Sequence, residues 1–140
     1  MTNPVPVGVV LPLQTKSLLN VRWHWAKKAK AAAVQRGLVL MATRTPFAPF
    51  RLPAAKPGPK TRPRGPQAPA IAIVEALLVR IAPRALDDDN LRGALKHVRD
   101  GVADALGVDD RDPRVVWRYD QWRGKPREYA VSVSVRAISA

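Results

Sequence analysis

PRALDDDNLRGALKHVRDGVADALGVDDRD, residues 83–112, is the stretch that decides the fold. It opens on Asp87-Asp88-Asp89-Asn90, runs through a helical pattern, and closes on a second acidic cluster. Leu91, Leu95, Val98, Val102 and Leu106 recur at three- and four-residue spacing. That period predicts a helix over Asn90–Leu106 with these five side chains on its core face. Asp89 or Asp88 is the expected N-cap and Gly107 the expected C-cap. Gly93 and Gly101 weaken the helix intrinsically. Gly101 either admits the close approach of another backbone, a partner subunit's included, or stands there by chance. Lys96 and Asp100 fall one turn apart opposite the apolar stripe, flanked by Arg92 and Asp104. A solvated helix carries the same i,i+4 pair, so the helix alone does not define a site.

The acid stands out because the rest of the chain is basic. Of 140 residues, 24 are Lys or Arg and 11 are Asp or Glu, a formal charge of +13. A positive field of that size draws polyanions and speeds their capture, so DNA or RNA is the expected partner. A ribosomal or structural nucleic-acid binder fits the charge equally well, and an anionic membrane fits it less well. The length favours one domain over residues 1–140 with one modest core. The absence of cysteine excludes a disulfide scaffold and any thiolate metal site, and fits a cytoplasmic location. No apolar run is long enough to span a bilayer. The first residues, MTNPVPVGVVLPLQT, lack the basic region of a signal peptide and read as an extended segment or edge strand.

Outward from the central stretch, Val7–Leu13 is a short β candidate. Next comes SLLNVRWHWAKKAKAAAVQRGLVLMAT, where Ser17 or Asn20 begins a helix carried by the alanine-rich run from Ala26 to Val34. One reading makes it a DNA-facing basic helix, with Arg22, His24, Lys27, Lys28, Lys30 and Arg36 near phosphates. The other makes it a solubilised helix packed by Trp23, Ala26 and Val34. Residues 46–69 are proline-rich and basic, and are expected as a long loop. Its Arg62 and Arg64 either close over a phosphate backbone or keep an insert soluble. Ala70–Pro83 is apolar on both alternating sets and β-branched, which predicts a long buried strand leading to Asp87. After the second acidic cluster, VVWRYDQW and EYAVSVSVRA read as two strands, and the RGKP link predicts an antiparallel hairpin between them. Trp117 and Trp122 fall on opposite faces of the first, so simple alternation buries one at most. The other stacks on a base, packs at a dimer contact, or is structural.

A hard divalent cation takes oxygen ligands, which aspartate supplies on a short stem. Phosphodiester cleavage uses such ions. In extended backbone Asp87 and Asp89 point to one side and Asp88 to the other. A helix of this length spans about 25 Å. Asp109 and Asp110 therefore meet the first pair only if the chain folds back or a second subunit supplies them. Solvated turn acids and helix caps explain the same residues without a metal.

DDDNLRGALKHVRDGVADALGVDD resembles the central motif of the RusA-like family of Holliday-junction resolvases, found in phages and prophages. That family carries Asp-x-Asp-Asn-Leu, a lysine on the following helix, Asp-Ala-Leu, and an Asp-Asp pair before a strand. Asp87–Leu91, Asp104-Ala105-Leu106 and Asp109-Asp110 match, and the likeness extends over residues 17–36 and 80–120. The family lysine falls about a turn after Asp-Asn, where this chain has Arg92-Gly93, and Lys96 lies a turn later. The proline-rich insert also departs from the family pattern.

The resemblance implies a small α+β domain, a mixed or antiparallel sheet with helices packed against it, working as a homodimer. It implies an Mg²⁺-dependent endonuclease (Mn²⁺ substituting) that makes paired nicks in four-way DNA junctions during recombination and repair. Asp87, Asp89 and Asp110 would be the metal ligands, with Asp109 beside them and Lys96 or Arg92 offsetting phosphate charge. The basic residues of the first helix, the loop arginines, Arg118 and Arg123 would hold the DNA backbone. The competing readings are a branched-DNA or structured-RNA binder without cleavage, and a protein-interaction module using the proline-rich loop.

Overall fold

The computed structural model describes residues 6–15, 25–53 and 73–139. The sheet is built on β2, Ile73–Ala82, whose two faces are both largely apolar. It accepts β3, Val115–Arg123, in parallel on one side and β4, Ala130–Ser139, antiparallel on the other. β1, Val7–Leu11, pairs antiparallel with the far side of β4. The order is β1-β4-β2-β3, a four-stranded mixed sheet. The antiparallel hairpin expected across RGKP does not form. β3 and β4 are separated by β2, and the link crosses its end, where Gly124 N–H donates to the Ala82 carbonyl at 2.9 Å. Two inter-strand steps are about 10 Å, which the segment from Gly124 to Tyr129 covers easily. A short link therefore did not require direct pairing.

Two helices pack on one face, giving an α+β fold. α2, Asp88–Leu106, buries Leu91, Leu95, Val98, Val102 and Leu106, the apolar face expected of it. These side chains meet Val74, Ala76 and Leu78 of β2, Val131, Val133 and Val135 of β4, and Val115 of β3 in one core. Gly107 closes α2 with φ 75°, ψ 27°, the left-handed conformation that favours glycine. α1, Trp25–Thr43, has Val39 and Thr43 as its buried residues. Val34 and Ala26, expected to pack it, are exposed. Apolar residues run all round α1, so its sequence does not mark the inward strip.

What joins the helices is Gly101. A Cβ there would lie 2.7 Å from the Arg36 carbonyl oxygen and 2.7 Å from Val39 Cβ. The close approach foreseen at this glycine is made by α1 of the same chain. One turn on, Arg36 grips Asp104 through two hydrogen bonds of 2.6 and 2.7 Å. The proline-rich segment is anchored at its start. A 3₁₀ turn at Ala48–Phe50 sends Phe47, Phe50 and Leu52 into the core, and Leu52 N–H donates to the Leu106 carbonyl at 2.9 Å. Residues 54–69 of that expected loop lie outside the described residues. No described helix is long and apolar enough to cross a membrane.

The opposite sheet face carries no helix. There Glu75 of β2 is clamped between Arg118 of β3 at 3.1 Å and Arg136 of β4 at 3.1 Å. Hydrogen bonding from Arg136 first, then from Arg118, holds the Glu75 carboxyl below its usual range. Arg114 does the same to Asp112 in the turn before β3.

Two outcomes follow. Gly101→Ala drives a methyl into backbone and is expected to destabilise by about 1–3 kcal/mol, read by urea denaturation. For Glu75 and Asp112 the folded pKa lies below the unfolded one. Their stabilisation is present above the ordinary carboxylate range and lost as pH falls through the folded values. The stability advantage of the wild type over Glu75→Gln and Asp112→Asn should thus shrink as pH falls below the ordinary carboxylate range, measured by urea titration across the acid limb.

Candidate active-site cleft

The site is positioned by the short link between β2 and α2. Arg80, nearly buried near the end of β2, donates from Nη1 to the Arg84 carbonyl at 2.8 Å. Burial lowers its pKa. Gln121 of β3 brackets Leu86 from the side. Its Oε1 accepts from Leu86 N–H at 2.9 Å and its Nε2 donates to the Leu86 carbonyl at 2.7 Å. This side-chain amide takes the place of a strand partner and keeps the link extended up to Asp87.

Asp87 therefore keeps extended backbone (φ −70°, ψ 169°) and becomes the N-cap, its carboxylate accepting from Asn90 N–H at 3.0 Å. The expected cap at Asp88 or Asp89 is corrected: both lie inside the first helical turn. They project at helical steps of about 100°, so the alternation expected of an extended stretch does not apply to them. Three acids at a helix N-terminus also favour the helix dipole.

The first two turns of α2 face the edge strand β3 across a cleft of about 430 Å³. Asp88, Leu91 and Arg92 line it from the helix, and Trp117, Arg118, Tyr119 and Asp120 from the strand, with Leu77 of β2. The Arg92 guanidinium sits 5.9 Å from the Tyr119 ring centre. The lining thus holds two carboxylates and two guanidiniums on exposed residues, Asp88 and Arg92 on the helix side of the edge strand β3 and Arg118 and Asp120 on its helix-free side, with Arg118 also paired to Glu75. Asp88 and Asp120 were not among the residues expected to act. Asp88 had been assigned to the opposite side, and Asp120 stands in a strand with no motif around it. The only available signal was its place on the outward-facing set of β3, two residues from Trp122.

The second acidic cluster is tied elsewhere on α2. Arg99 donates from Nη2 to the Asp110 carbonyl at 2.6 Å and from Nη1 to Tyr119 Oη at 2.7 Å. Its Nε lies 3.6 Å from the Asp110 carboxylate, and its guanidinium lies 4.8 Å from the Trp117 ring centre. Trp117 Nε1 adds a 3.0 Å bond to the same carbonyl. The chain after α2 thus folds back along the helix as far as Arg99. The neighbouring Asp109 carboxylate accepts from Arg111 N–H at 2.9 Å, which holds its carboxyl below the usual range. Hydrogen bonding to Asp104 is the first cause of a raised Arg36 pKa, and Asp100 and Asp110 add to it through space.

Among the described residues no group of three or more His, Asp or Glu side chains converges as an ion cage. Asp87, Asp89 and Asp110 are not brought together as one donor set within the chain. Asp88 and Asp120 both line the cleft, from the two sides of the edge strand β3. Magnesium commonly binds one or two carboxylates plus substrate phosphate while keeping several waters. The donor chemistry suits that ion.

Lys96 is exposed on the outer face of α2. Next to it His97 approaches Asp100 at 3.7 Å, and burial lowers the His97 pKa. Arg123 is exposed at the end of β3. Lys27 and Lys30 border an apolar groove of about 390 Å³ on α1, with Lys28 half-buried beside them. Arg22, His24, Arg62 and Arg64 lie outside the described residues.

No protein-family model matches the chain. It is similar to an uncharacterized protein of Xylella fastidiosa (strain Temecula1 / ATCC 700964), 35% identical over 106 residues, which is 74% of this chain. The chain spans 60% of the length of that relative.

The cap geometry separates two roles for Asp87. Asp87→Ala is expected to destabilise α2 by about 0.5–2 kcal/mol, whereas Asp87→Asn keeps the capping oxygen and stays within a few tenths of wild type. Thermal melts of the two variants check this.

Proposed function

We propose that the chain is a metal-dependent endonuclease acting on branched DNA, with the cleft between α2 and β3 as its reaction site. The observation that carries this reading is the lining itself: Asp88 and Asp120 facing one cleft with Arg92 and Arg118, in a chain of charge +13. Acid without base would repel a phosphodiester. Base without acid would bind it and leave the reaction unassisted. Both together fit a phosphate that is held and then attacked. The resemblance to the RusA-like resolvases supports the same chemistry from the motif Asp87–Leu91.

On this reading Asp88 and Asp120 hold the cation, with Asp89 and Asp87 beside them. Asp110 of the resemblance's ligand set joins through a second copy or a bound-state rearrangement. When bound, a hard divalent ion supplies a polarised phosphate oxygen and a water of lowered pKa. Arg92 and Arg118 orient the phosphate and offset the charge that grows on its non-bridging oxygens. A carboxylate oxygen of Asp88 or Asp120 takes the proton of the attacking water. The new P–O bond forms as the bond to the leaving deoxyribose oxygen breaks, and that oxygen is protonated from solvent. Lys96 stands about two and a half helical turns from Asp87 and reaches the phosphate only on a neighbouring part of the substrate. A homodimer would present two such clefts to a nearly two-fold four-way junction, which accounts for paired nicks.

A second reading keeps the DNA and removes the chemistry. It is favoured by the charge of +13, which by itself supports binding and requires no reaction. The two readings part in one assay, a labelled four-way junction with Mg²⁺ or with chelator. The wild type should nick in Mg²⁺. Asp89→Asn and Asp120→Asn should nick roughly 100-fold more slowly or worse, while still binding the junction in chelator. Wild-type cleavage by Asp89→Asn would remove Asp89 from the site. Junction binding by the wild type without nicks in either Mg²⁺ or Mn²⁺ would leave the binder.

A further inference from the structure

Trp122 ends the edge strand β3 on the sheet face that carries no helix, and it is 60% exposed. Its counterpart Trp117 is half-buried against the other face beneath Arg99. An indole is a large apolar group, and leaving most of it in water forgoes burial that the sheet could have given. Beside it in the register lies Ile81 of β2, half-buried, which gives the ring an apolar floor.

The turn that follows is basic. Arg123, Lys125 and Arg127 are all exposed, and none forms an ion pair among the described residues. Glu128, also exposed, lies over Gly124, where its Oε1 would lie 2.9 Å from an added Cβ, so the turn carries three cations against this one carboxylate. The turn is fixed, since Glu128 N–H donates to the Lys125 carbonyl at 3.0 Å. Arg127 sits at φ 65° within it, the one non-glycine residue with positive φ among those described. Glycine or asparagine would occupy that conformation with less strain. Strain of this kind is found preferentially where a segment clamps a ligand.

We propose that Trp122 and the Arg123–Arg127 turn hold an unpaired DNA strand. Trp122 stacks on an unstacked base, and Arg123, Lys125 and Arg127 take the flanking phosphates. Charge selects this occupant. A second copy of a chain carrying +13 would set cations against cations at this turn, whereas a phosphate backbone neutralises them. The choice of DNA over RNA rests on the nuclease reading of the cleft; the stacking contact does not.

The test is binding of a short fluorescein-labelled thymidine oligonucleotide in chelator, so that cleavage plays no part. Trp122→Ala should weaken binding about tenfold, and Trp122→Phe should recover most of it, because either aromatic face stacks on a base. Lys125→Ala with Arg127→Ala should flatten the salt dependence by about 1.4 in log–log slope, about 0.7 for each lost phosphate contact. Thermal melts verify that each variant is folded. Wild-type affinity in Trp122→Ala would overturn the proposal. So would self-association of the wild type in the absence of DNA that Trp122→Ala abolishes, read by sedimentation velocity, which marks a second copy. Tighter binding of a uridine oligonucleotide would overturn the assignment to DNA. If Trp122 proves necessary here while the wild type never nicks a junction, the nuclease reading fails and the stacking site stands.

Discussion

The close contact between α1 and α2 at Gly101 sets the rest of the arrangement. With no side chain at that point, the backbone of α2 comes against Val39 and the carbonyl of Arg36. Val39 and Thr43 are the buried residues of α1, and Thr43 Oγ1 donates back to the Val39 carbonyl at 2.7 Å. α1 is thus held by a narrow strip, and that strip exists because α2 is bare where the two cross. A side chain at 101 would push the helices apart and lengthen the reach from Arg36 to Asp104. It would also tilt α2 over the sheet. The direction of α2 decides what its N-terminal turns face, and the packing of its apolar stripe from Leu91 to Leu106 on the sheet fixes that direction together with the contact at Gly101.

The fold was legible where one signal dominated. The stripe from Leu91 to Leu106 is confined to one side of α2, and all five residues are buried. β2 is apolar on both alternating sets, which is the pattern of a strand with neighbours on each side. α1 gave no comparable signal, because its alanines, valines and leucines surround it and close packing, not hydrophobicity, selects its buried strip. The topology was lost at the β3–β4 link. Local sequence reports that a short segment turns the chain, and it does not report whether another strand lies between the ends. β2 and β4 both lie inside the sheet, and β2 takes the place beside β3 in parallel pairing while β4 takes its other side.

The sequence places acid at the head of α2, and the structure has it there, beside a cleft whose other lining residues the motif does not name. Which carboxylate faces the cleft depends on where extended backbone gives way to helix, a single-residue matter. That boundary is set by Gln121, thirty-five positions from Leu86 in sequence. Asp120 is next to Gln121 in the chain and enters the cleft through the same strand, yet no spacing rule connects it to Asp88. The parallel pairing of β2 with β3 is what makes them neighbours, and that pairing was itself hidden behind the expected hairpin.

Nine of the eleven acidic residues lie between Asp87 and Asp120, so the acid is concentrated in one part of a basic protein. Several are engaged by the chain's own arginines: Asp104 by Arg36, Asp110 by Arg99, and Asp112 by Arg114. Asp87, Asp88, Asp89 and Asp120 form no ion pair among the described residues. The negative charge left over is therefore gathered at the head of α2 and on the edge strand opposite. On the proposed reading, a phosphate backbone drawn in by the overall field meets attraction across the molecule and repulsion at this one place. Coulomb energies between such groups are about 1 kcal/mol at 4 Å in bulk water and several times larger near a protein surface. On the proposed reading, that local repulsion makes close seating of a phosphate conditional on a cation between it and the carboxylates. Arg92 and Arg118 can hold the phosphate nearby, but only neutralisation of Asp88 and Asp120 lets it approach the acid. Capture and reaction are then separate demands on the same substrate, met by charges of opposite sign that stand together on each side of β3, Arg92 with Asp88 and Arg118 with Asp120.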